Sequence, residues 1–219
     1  MNSILIQTDF DNTLTKGNVS ELIHDEFGPK NWPEIYEKYK RGLITVEESN
    51  IYSFKHLKTK KIDLDNFVKK NVKFRDGFLE FYNYVMRNNL DFKIVSSGVD
   101  FYIYSALSSL GIDTGSVEII SGKSTFNSVG INVQYFDPEN FNISANFKGI
   151  HTILHKKIYS TIIYFGDSNT DLNSASISDV IFATDKLKKY FNKESIDHFP
   201  FENYFEVLKI FKEQSLTKL

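Results

Sequence analysis

Short apolar runs bounded by turn-forming residues recur along the chain, and several are too short to be helices. Ile4-Leu5-Ile6, Phe92-Lys93-Ile94-Val95, Thr161-Ile162-Ile163-Tyr164-Phe165 and Val180-Ile181-Phe182 have the length and the β-branched or aromatic content of buried strands. Between them the period changes. Phe78, Phe81, Tyr82 and Val85 share one helical face, as do Phe201, Tyr204, Phe205 and Leu208, and both stripes read as core. Strands alternating with helices predict an α/β fold built on a parallel sheet covered on both faces.

Two stretches break this alternation. Residues 16–75 contain no strand-like run but several helix starts. Asn18 with Glu21, and Thr45 with Glu48, have the spacing of an N-cap followed by a glutamate three positions on. Asn31 precedes Trp32-Pro33, Gly42 sits where that helix should stop, and Asp63 is placed to cap a further helix through Lys70. The pattern predicts an all-helical unit inserted after the first strand, with the chain returning to the core near Arg75-Asp76-Gly77. The core would then comprise residues 1–15 and 76–219, and the helical unit residues 16–75. Near 117–136, Val117 to Ile120 and the alternating Ile131, Val133 and Tyr135 predict a small β excursion that Asp137-Pro138 ends. A chain of 219 residues suits one such core with a sizeable insertion.

Composition narrows the function more by exclusion than by assertion. Twenty Phe and 12 Tyr supply ample apolar surface, and 41% hydrophobic residues exclude wholesale disorder. Twenty-six basic against 28 acidic side chains leave a net charge of -2, which argues against a general nucleic-acid binder. With no cysteine, disulfides, thiolate metal sites and cysteine nucleophiles are excluded. Met1-Asn2-Ser3-Ile4-Leu5-Ile6 lacks the basic start and long apolar stretch of a secretory signal, and no run is long enough to span a bilayer. The expectation is a soluble cytoplasmic protein without a membrane partner.

The polar residues that matter are those at the strand ends. Asp9-Phe10-Asp11 follows the first strand, Ser96-Ser97-Gly98 the second, and Gly166-Asp167 with Asp171 the third. Open α/β sheets bind ligands just beyond the carboxyl ends of their strands, so the fold would gather these groups into one site. Turn preference alone explains any single cluster, but three after three strands are hard to attribute to it. Carboxylates brought that close cannot all ionise without compensation. A divalent cation resolves the conflict, and an all-oxygen ligand set favours Mg²⁺, which commonly bridges carboxylates to a phosphate oxygen. Two acids at i and i+2 can then divide the work. Asp9 would attack phosphorus to form an aspartyl-phosphate, while Asp11 would protonate the leaving oxygen and later activate water. The hydroxyl of Ser96, the backbone N–H groups around Ser97-Gly98, and Lys148 at the start of a helix would hold the phosphoryl group. The partner this predicts is a small phosphorylated metabolite.

Asp9-Phe10-Asp11-Asn12-Thr13-Leu14-Thr15, Ser96, Lys148 and Gly166-Asp167-Ser168-Asn169-Thr170-Asp171 resemble, in order, the four motifs of the haloacid dehalogenase (HAD) superfamily. The resemblance implies a Rossmann-like core with a C1 cap of the phosphoserine phosphatase-like subgroup. It also implies Asp9 as nucleophile, Asp11 as acid/base, and Ser96 and Lys148 on the phosphoryl group. Mg²⁺ would be held by the Asp9 carboxylate, the Asp11 backbone carbonyl and Asp167, with Asp171 in support through Lys148 or metal-bound water. The second acid, Asp11, points to phosphate chemistry rather than dehalogenation. Ser97-Gly98-Val99-Asp100-Phe101, the segment around Trp32-Pro33-Glu34 and the tail Asp197-His198-Phe199-Pro200 are similar to the MtnX-like phosphatases of methionine salvage. Phosphoserine phosphatases use a cap glutamate and a cap arginine where Asn18 and Ser53 stand here, which disfavours phosphoserine. A phosphoserine phosphatase or a broad-specificity phosphatase is the alternative, and a phospho-acceptor signalling module the alternative from another class. The i, i+4 pair His151 and His155 lacks the accompanying glutamate of a zinc motif and reads as surface or satisfied histidines.

Overall fold

Strand β1 (Ile4–Thr8) is buried at every position because it runs through the middle of the sheet. The computed structural model describes residues 3–218. After β1 come four helices, α1 (Val19–Phe27), α2 (Trp32–Lys40), α3 (Val46–Phe54) and α4 (Lys61–Asn71). The chain then continues through α5 (Phe78–Arg87), β2 (Asp91–Val99), α6 (Asp100–Ser109), β3 (Glu118–Phe126), β4 (Ile131–Phe136) and β5 (Asn142–Ile143). It ends with α7 (Phe147–Ile158), β6 (Thr161–Gly166), α8 (Leu172–Ser176), β7 (Val180–Ala183), α9 (Asp185–Glu194), β8 (Phe199–Pro200) and α10 (Tyr204–Glu213).

The eight strands form one sheet in the order β5-β4-β3-β2-β1-β6-β7-β8. All are parallel except β4 and β5, which extend the β3 edge antiparallel. The expected excursion near 117–136 is therefore part of the sheet itself, since β3 pairs with β2 and β4 with β3. From β1 the chain builds outward through β2 and β3, then returns to place β6 on the other side of β1. The order reverses between β1 and β6, and the crevice beyond their carboxyl ends is where such sheets bind ligands.

Neighbouring residues on a strand face opposite sides of a sheet, and β6 shows what each side requires. Phe165 stacks on Phe182 at 4.6 Å between ring centroids and meets Phe81 of α5 and Phe211 of α10. Tyr164 faces the other side and packs with Ala175 of α8 and Leu187 of α9. That second side also holds a polar seam against α7. Gln7 donates to Thr152 Oγ1 at 2.6 Å, and its Oε1 lies 2.8 Å from His155 Nδ1. His151 lies 2.9 Å from the Phe136 carbonyl. Both histidines are thus satisfied within the fold, and burial lowers their pKa values, that of His155 to about 4.

The helical starts have the expected chemistry at two places. Asn18 accepts from the Glu21 N–H, and Thr45 and Glu48 form a reciprocal capping box, each bond 3.0 Å long. Helix α4 departs from expectation: it begins at Lys61, two residues before Asp63, and has no side-chain cap. The stripe at 201–208 also needs correction. Phe201 precedes α10, and the helix buries Tyr204, Val207 and Phe211 while Phe205 is 54% exposed. Asn203 caps α10 by accepting from the Phe205 and Glu206 N–H groups. The chain enters and leaves the α1–α4 segment side by side. Thr15 and Phe74 form an antiparallel bridge, Lys16 N–H donates to the Lys73 carbonyl at 2.7 Å, and Arg75 N–H donates to the Leu14 carbonyl at 2.8 Å.

Phe165 is fully buried among rings from both chain halves. Phe165→Ala should cost about 3–5 kcal/mol of unfolding free energy in urea titration. A loss under about 1 kcal/mol would mean that this aromatic layer is not the core it looks like.

Candidate active site

The crevice beyond β1 and β6 collects Asp9, Asp11, Ser96, Ser97, Gly98, Lys148 and Asp167 around one cavity of about 580 Å³. Asp9 directly follows the last β1 residues, and its N–H continues the ladder to the Phe165 carbonyl at 3.0 Å. Asp167 follows β6 on the facing strand end. Lys148 is the second residue of α7, where the helix dipole disfavours a cation. Its ammonium is held instead by carboxylates, 2.8 Å from Asp9 Oδ2 and 2.8 Å from Asp171 Oδ1, and it donates to Thr170 Oγ1 at 3.1 Å.

Ser96-Ser97-Gly98 was expected after the second strand and instead lies within it. Val95 pairs with Ile120 but Val99 pairs with Gly122, so residues 96–98 leave the regular ladder as a bulge. The bulge turns the segment towards the crevice without ending the strand. Gly98 is required there. A Cβ on it would sit 2.4 Å from the Tyr102 hydroxyl oxygen and 2.9 Å from Asp11 Oδ2, closer than any side chain permits.

The four acids are all buried, yet their environments differ. Asp171 is saturated: Oδ1 accepts from Lys148 and from the Tyr164 hydroxyl at 2.6 Å, and Oδ2 accepts from the Asp167 and Ser168 N–H groups at 3.0 Å. It has no lone pair left for another ligand. Asp11 accepts from the Val19 N–H at the start of α1 at 2.6 Å and from the Tyr102 hydroxyl at 2.8 Å. Asp9 keeps one buried oxygen, Oδ1, without any hydrogen-bond partner.

The charges follow from these contacts. Burial first, and then the neighbouring Asp9, raise the Asp11 pKa to about 7, so its carboxyl can hold a proton near neutrality. Burial also raises Asp9 against the opposing pull of Lys148, and burial with repulsion from Asp171 and Asp9 pushes Asp167 well up. Burial opposes the Lys148 charge, but Asp171, Asp9 and Asp167 outweigh it and hold its pKa above the usual value. One ammonium does not neutralise the group. Oxygens of Asp9, Asp167 and Asp171 lie within 4.8 Å of one another, an all-oxygen set that suits a hard divalent cation. With Asp171 saturated, the oxygens free for such an ion belong to Asp9 and Asp167.

The tyrosines that position the acids were not anticipated from sequence. Tyr102 reaches Asp11 from α6, and Tyr164 reaches Asp171 from within β6. Buried tyrosines need a partner for the hydroxyl, but which partner emerges only once the chain is folded.

Fold and site together define a HAD-type phosphohydrolase. A family model described as "Putative Phosphatase" matches residues 4–184, and the chain belongs to that family. A 2-hydroxy-3-keto-5-methylthiopentenyl-1-phosphate phosphatase of Bacillus velezensis is 29% identical over 207 residues, covering 93% of this chain and 87% of the relative. Among solved structures, a HAD family hydrolase of Salmonella enterica serovar Typhi superposes with a TM-score of 0.71 at 17% identity, over 94% of this chain and 69% of that one. A substrate-bound phosphoserine phosphatase gives 0.67 at 18% identity, over 95% of this chain and 98% of that one. The protein is a phosphatase of the HAD type, a phosphoric monoester hydrolase.

Because Gly98 has no room for a Cβ, Gly98→Ala should lower kcat/KM for an aryl phosphate at least about tenfold while costing only about 1–3 kcal/mol of stability. Wild-type turnover in that variant would show that the close packing of Tyr102 and Asp11 on Gly98 is dispensable.

Proposed function

We propose that the chain is a Mg²⁺-dependent phosphomonoesterase that hydrolyses a small phosphorylated metabolite through an aspartyl-phosphate at Asp9. We further infer that the metabolite is a methylthio-enol sugar phosphate of the methionine-salvage type. The observation that carries the mechanism is the pairing of two unlike acids. Asp9 has a buried, unpartnered oxygen, and Asp11 beside it is held by Tyr102 and Val19 with a raised pKa.

The steps follow from these two environments. An Asp9 carboxylate oxygen attacks phosphorus as the bond to the leaving oxygen breaks, and Asp11 gives that oxygen its proton. Asp11, now ionised, takes a proton from water, whose oxygen attacks phosphorus and releases Asp9 and inorganic phosphate. Ser96, the N–H groups around Ser97-Gly98, and Lys148 hold the phosphoryl oxygens and offset the charge that develops on them. Asp9, the Asp11 carbonyl and Asp167 would hold Mg²⁺, which when bound would offset the repulsion between carboxylates and the phosphate dianion. Asp171 keeps Lys148 charged and aimed.

Residues 16–75 act in this reading as a C1 cap that covers the site and selects the leaving group. Trp32, Tyr36 and Tyr39 of α2 and Ile44 give a thioether-bearing chain apolar surface to pack on, in a cavity that Glu21, Lys40 and Lys186 also line. Among the described residues no arginine lines the cavity, and its cations outside the acid cluster are Lys40 and Lys186. Asn18, near the position of the phosphoserine-binding glutamate, is occupied in capping α1. The resemblance to the Bacillus velezensis enzyme over nearly the whole chain supports the same substrate class.

Asp9→Asn should reduce aryl phosphate turnover at least about a thousandfold with an unchanged circular dichroism spectrum. Retained activity would remove Asp9 as nucleophile. EDTA should abolish turnover and Mg²⁺ restore it; activity that persists after exhaustive chelation would contradict the cation assignment. In a panel of phosphorylated metabolites, the methylthio-enol sugar phosphate should exceed phosphoserine in kcat/KM by at least about a hundredfold. Equal rates across the panel would favour a broad-specificity phosphatase.

A further inference from the structure

The bulge in β2 creates a problem that the phosphate-binding segment must solve. Residues 96–98 lie off the regular ladder, so the Ser97 carbonyl is left to find partners away from β3, in a buried place. A buried carbonyl without partners is costly. Two side chains from outside the catalytic motifs supply them. The Tyr135 hydroxyl on β4 donates to Ser97 O at 2.5 Å, and Asn50 Nδ2 on α3 donates to the same oxygen at 2.8 Å. The same Asn50 Nδ2 also donates to the Tyr135 hydroxyl oxygen at 2.9 Å, which closes the three groups into a ring. Ser20 donates to Asn50 Oδ1 at 3.1 Å and fixes which way the amide faces.

The ring acts on the active site through the geometry of one peptide. In a trans peptide the C=O and the following N–H point in opposite directions. Fixing the Ser97 carbonyl towards α3 and β4 therefore fixes the Gly98 N–H on the crevice side, where it donates to Ser96 Oγ at 3.1 Å. With its oxygen accepting that bond, and with no acceptor for its own proton among the described residues, the Ser96 hydroxyl is oriented to donate into the cavity. Glu47, one turn before Asn50, ties the neighbouring segment in the same way. Its Oε1 accepts from Ser97 Oγ and from the Phe147 N–H, both at 3.2 Å, and Phe147 immediately precedes Lys148.

We propose that Tyr135 and Asn50 are positioning residues that aim the Ser97–Gly98 peptide, and through it Ser96, at the transferring phosphoryl group. The proposal rests on the reading of Ser96 and Lys148 as the phosphoryl-holding groups. It makes a helix of the 16–75 segment part of the phosphate site as well as of the leaving-group pocket. Tyr135 does not line the cavity, so its effect on phosphate must pass through Ser97. Gly122 permits the arrangement, because a Cβ there would lie 2.8 Å from the Tyr135 ring.

The test is Tyr135→Phe, which removes one oxygen and keeps the ring that packs against Phe147 at 5.1 Å. Orthovanadate, a mimic of the transferring phosphoryl group, should inhibit the variant roughly ten- to a hundredfold more weakly than the wild type. The same factor should appear in kcat/KM for aryl phosphates of good and poor leaving groups alike, because the leaving group is not what the ring touches. Asn50→Leu should produce a similar loss, and the double variant should lose little more than either alone, since both act on one carbonyl. A lowered melting temperature with an unchanged vanadate inhibition constant would reduce Tyr135 to a structural residue and overturn the proposal. So would losses that multiply in the double variant. If the wild type neither turns over aryl phosphates nor responds to vanadate, the phosphatase reading of the site fails first and the proposal fails with it. An active, vanadate-sensitive wild type beside an indifferent Tyr135→Phe refutes the positioning role alone.

Discussion

Four buried carboxylates share one buried ammonium, and much of the site's architecture answers that imbalance. Lys148 sits against Asp9 and Asp171 at the end of a helix that disfavours its charge, so the acids alone justify its place. The protein assigns the acids different fates through their hydrogen bonds. Asp171 is consumed by four donors and becomes scaffold. Asp11 is shared between a helix N-terminus and Tyr102 and keeps a pKa of about 7. Asp9 and Asp167 are left underserved, and groups left underserved in a protein interior are the ones available for chemistry.

The sheet order makes that distribution possible. The reversal between β1 and β6 opens a crevice where two strand ends deliver Asp9 and Asp167 side by side. The third contribution, from β2, requires a bulge, because a regular strand would keep its peptide groups in the ladder. Bulge, glycine and tyrosine then form a chain of necessity: the bulge frees the Ser97 carbonyl, Tyr135 and Asn50 occupy it, and Gly98 leaves room for Tyr102 on Asp11.

What could be read from the sequence was local, and what could not was tertiary. Asp9, Asp11, Asp167 and Lys148 stood out because each follows a strand or opens a helix, and the structure brings them to one cavity. Asn18 and Thr45 were legible as caps because the bonds that define them span three residues. The bulge was not, since register depends on the partner strand, and Ser96-Ser97-Gly98 read as following the strand rather than lying within it. The face of α10 was misjudged because helical spacing alone does not distinguish Phe205 from Val207. Tyr102, Tyr135 and Asn50 find their partners 38 to 91 residues away, and no pattern within a helix or strand encodes that.

The paired crossing at Leu14–Lys16 and Lys73–Arg75 has a consequence for how such a protein can change. Because the chain leaves the sheet and returns to it through adjacent, hydrogen-bonded backbone, the distance that an intervening segment must span is fixed and short. Anything whose two ends meet can be placed there, and loop closure costs little more for sixty residues than for ten. The crossing is in effect a socket. Asp9 and Asp11 lie on the sheet side of it, so these acids stay put while the fitting is exchanged. The seat at Ser97 is the exception: a replacement segment that carries no counterpart of Asn50 would leave Tyr135 to hold that carbonyl alone.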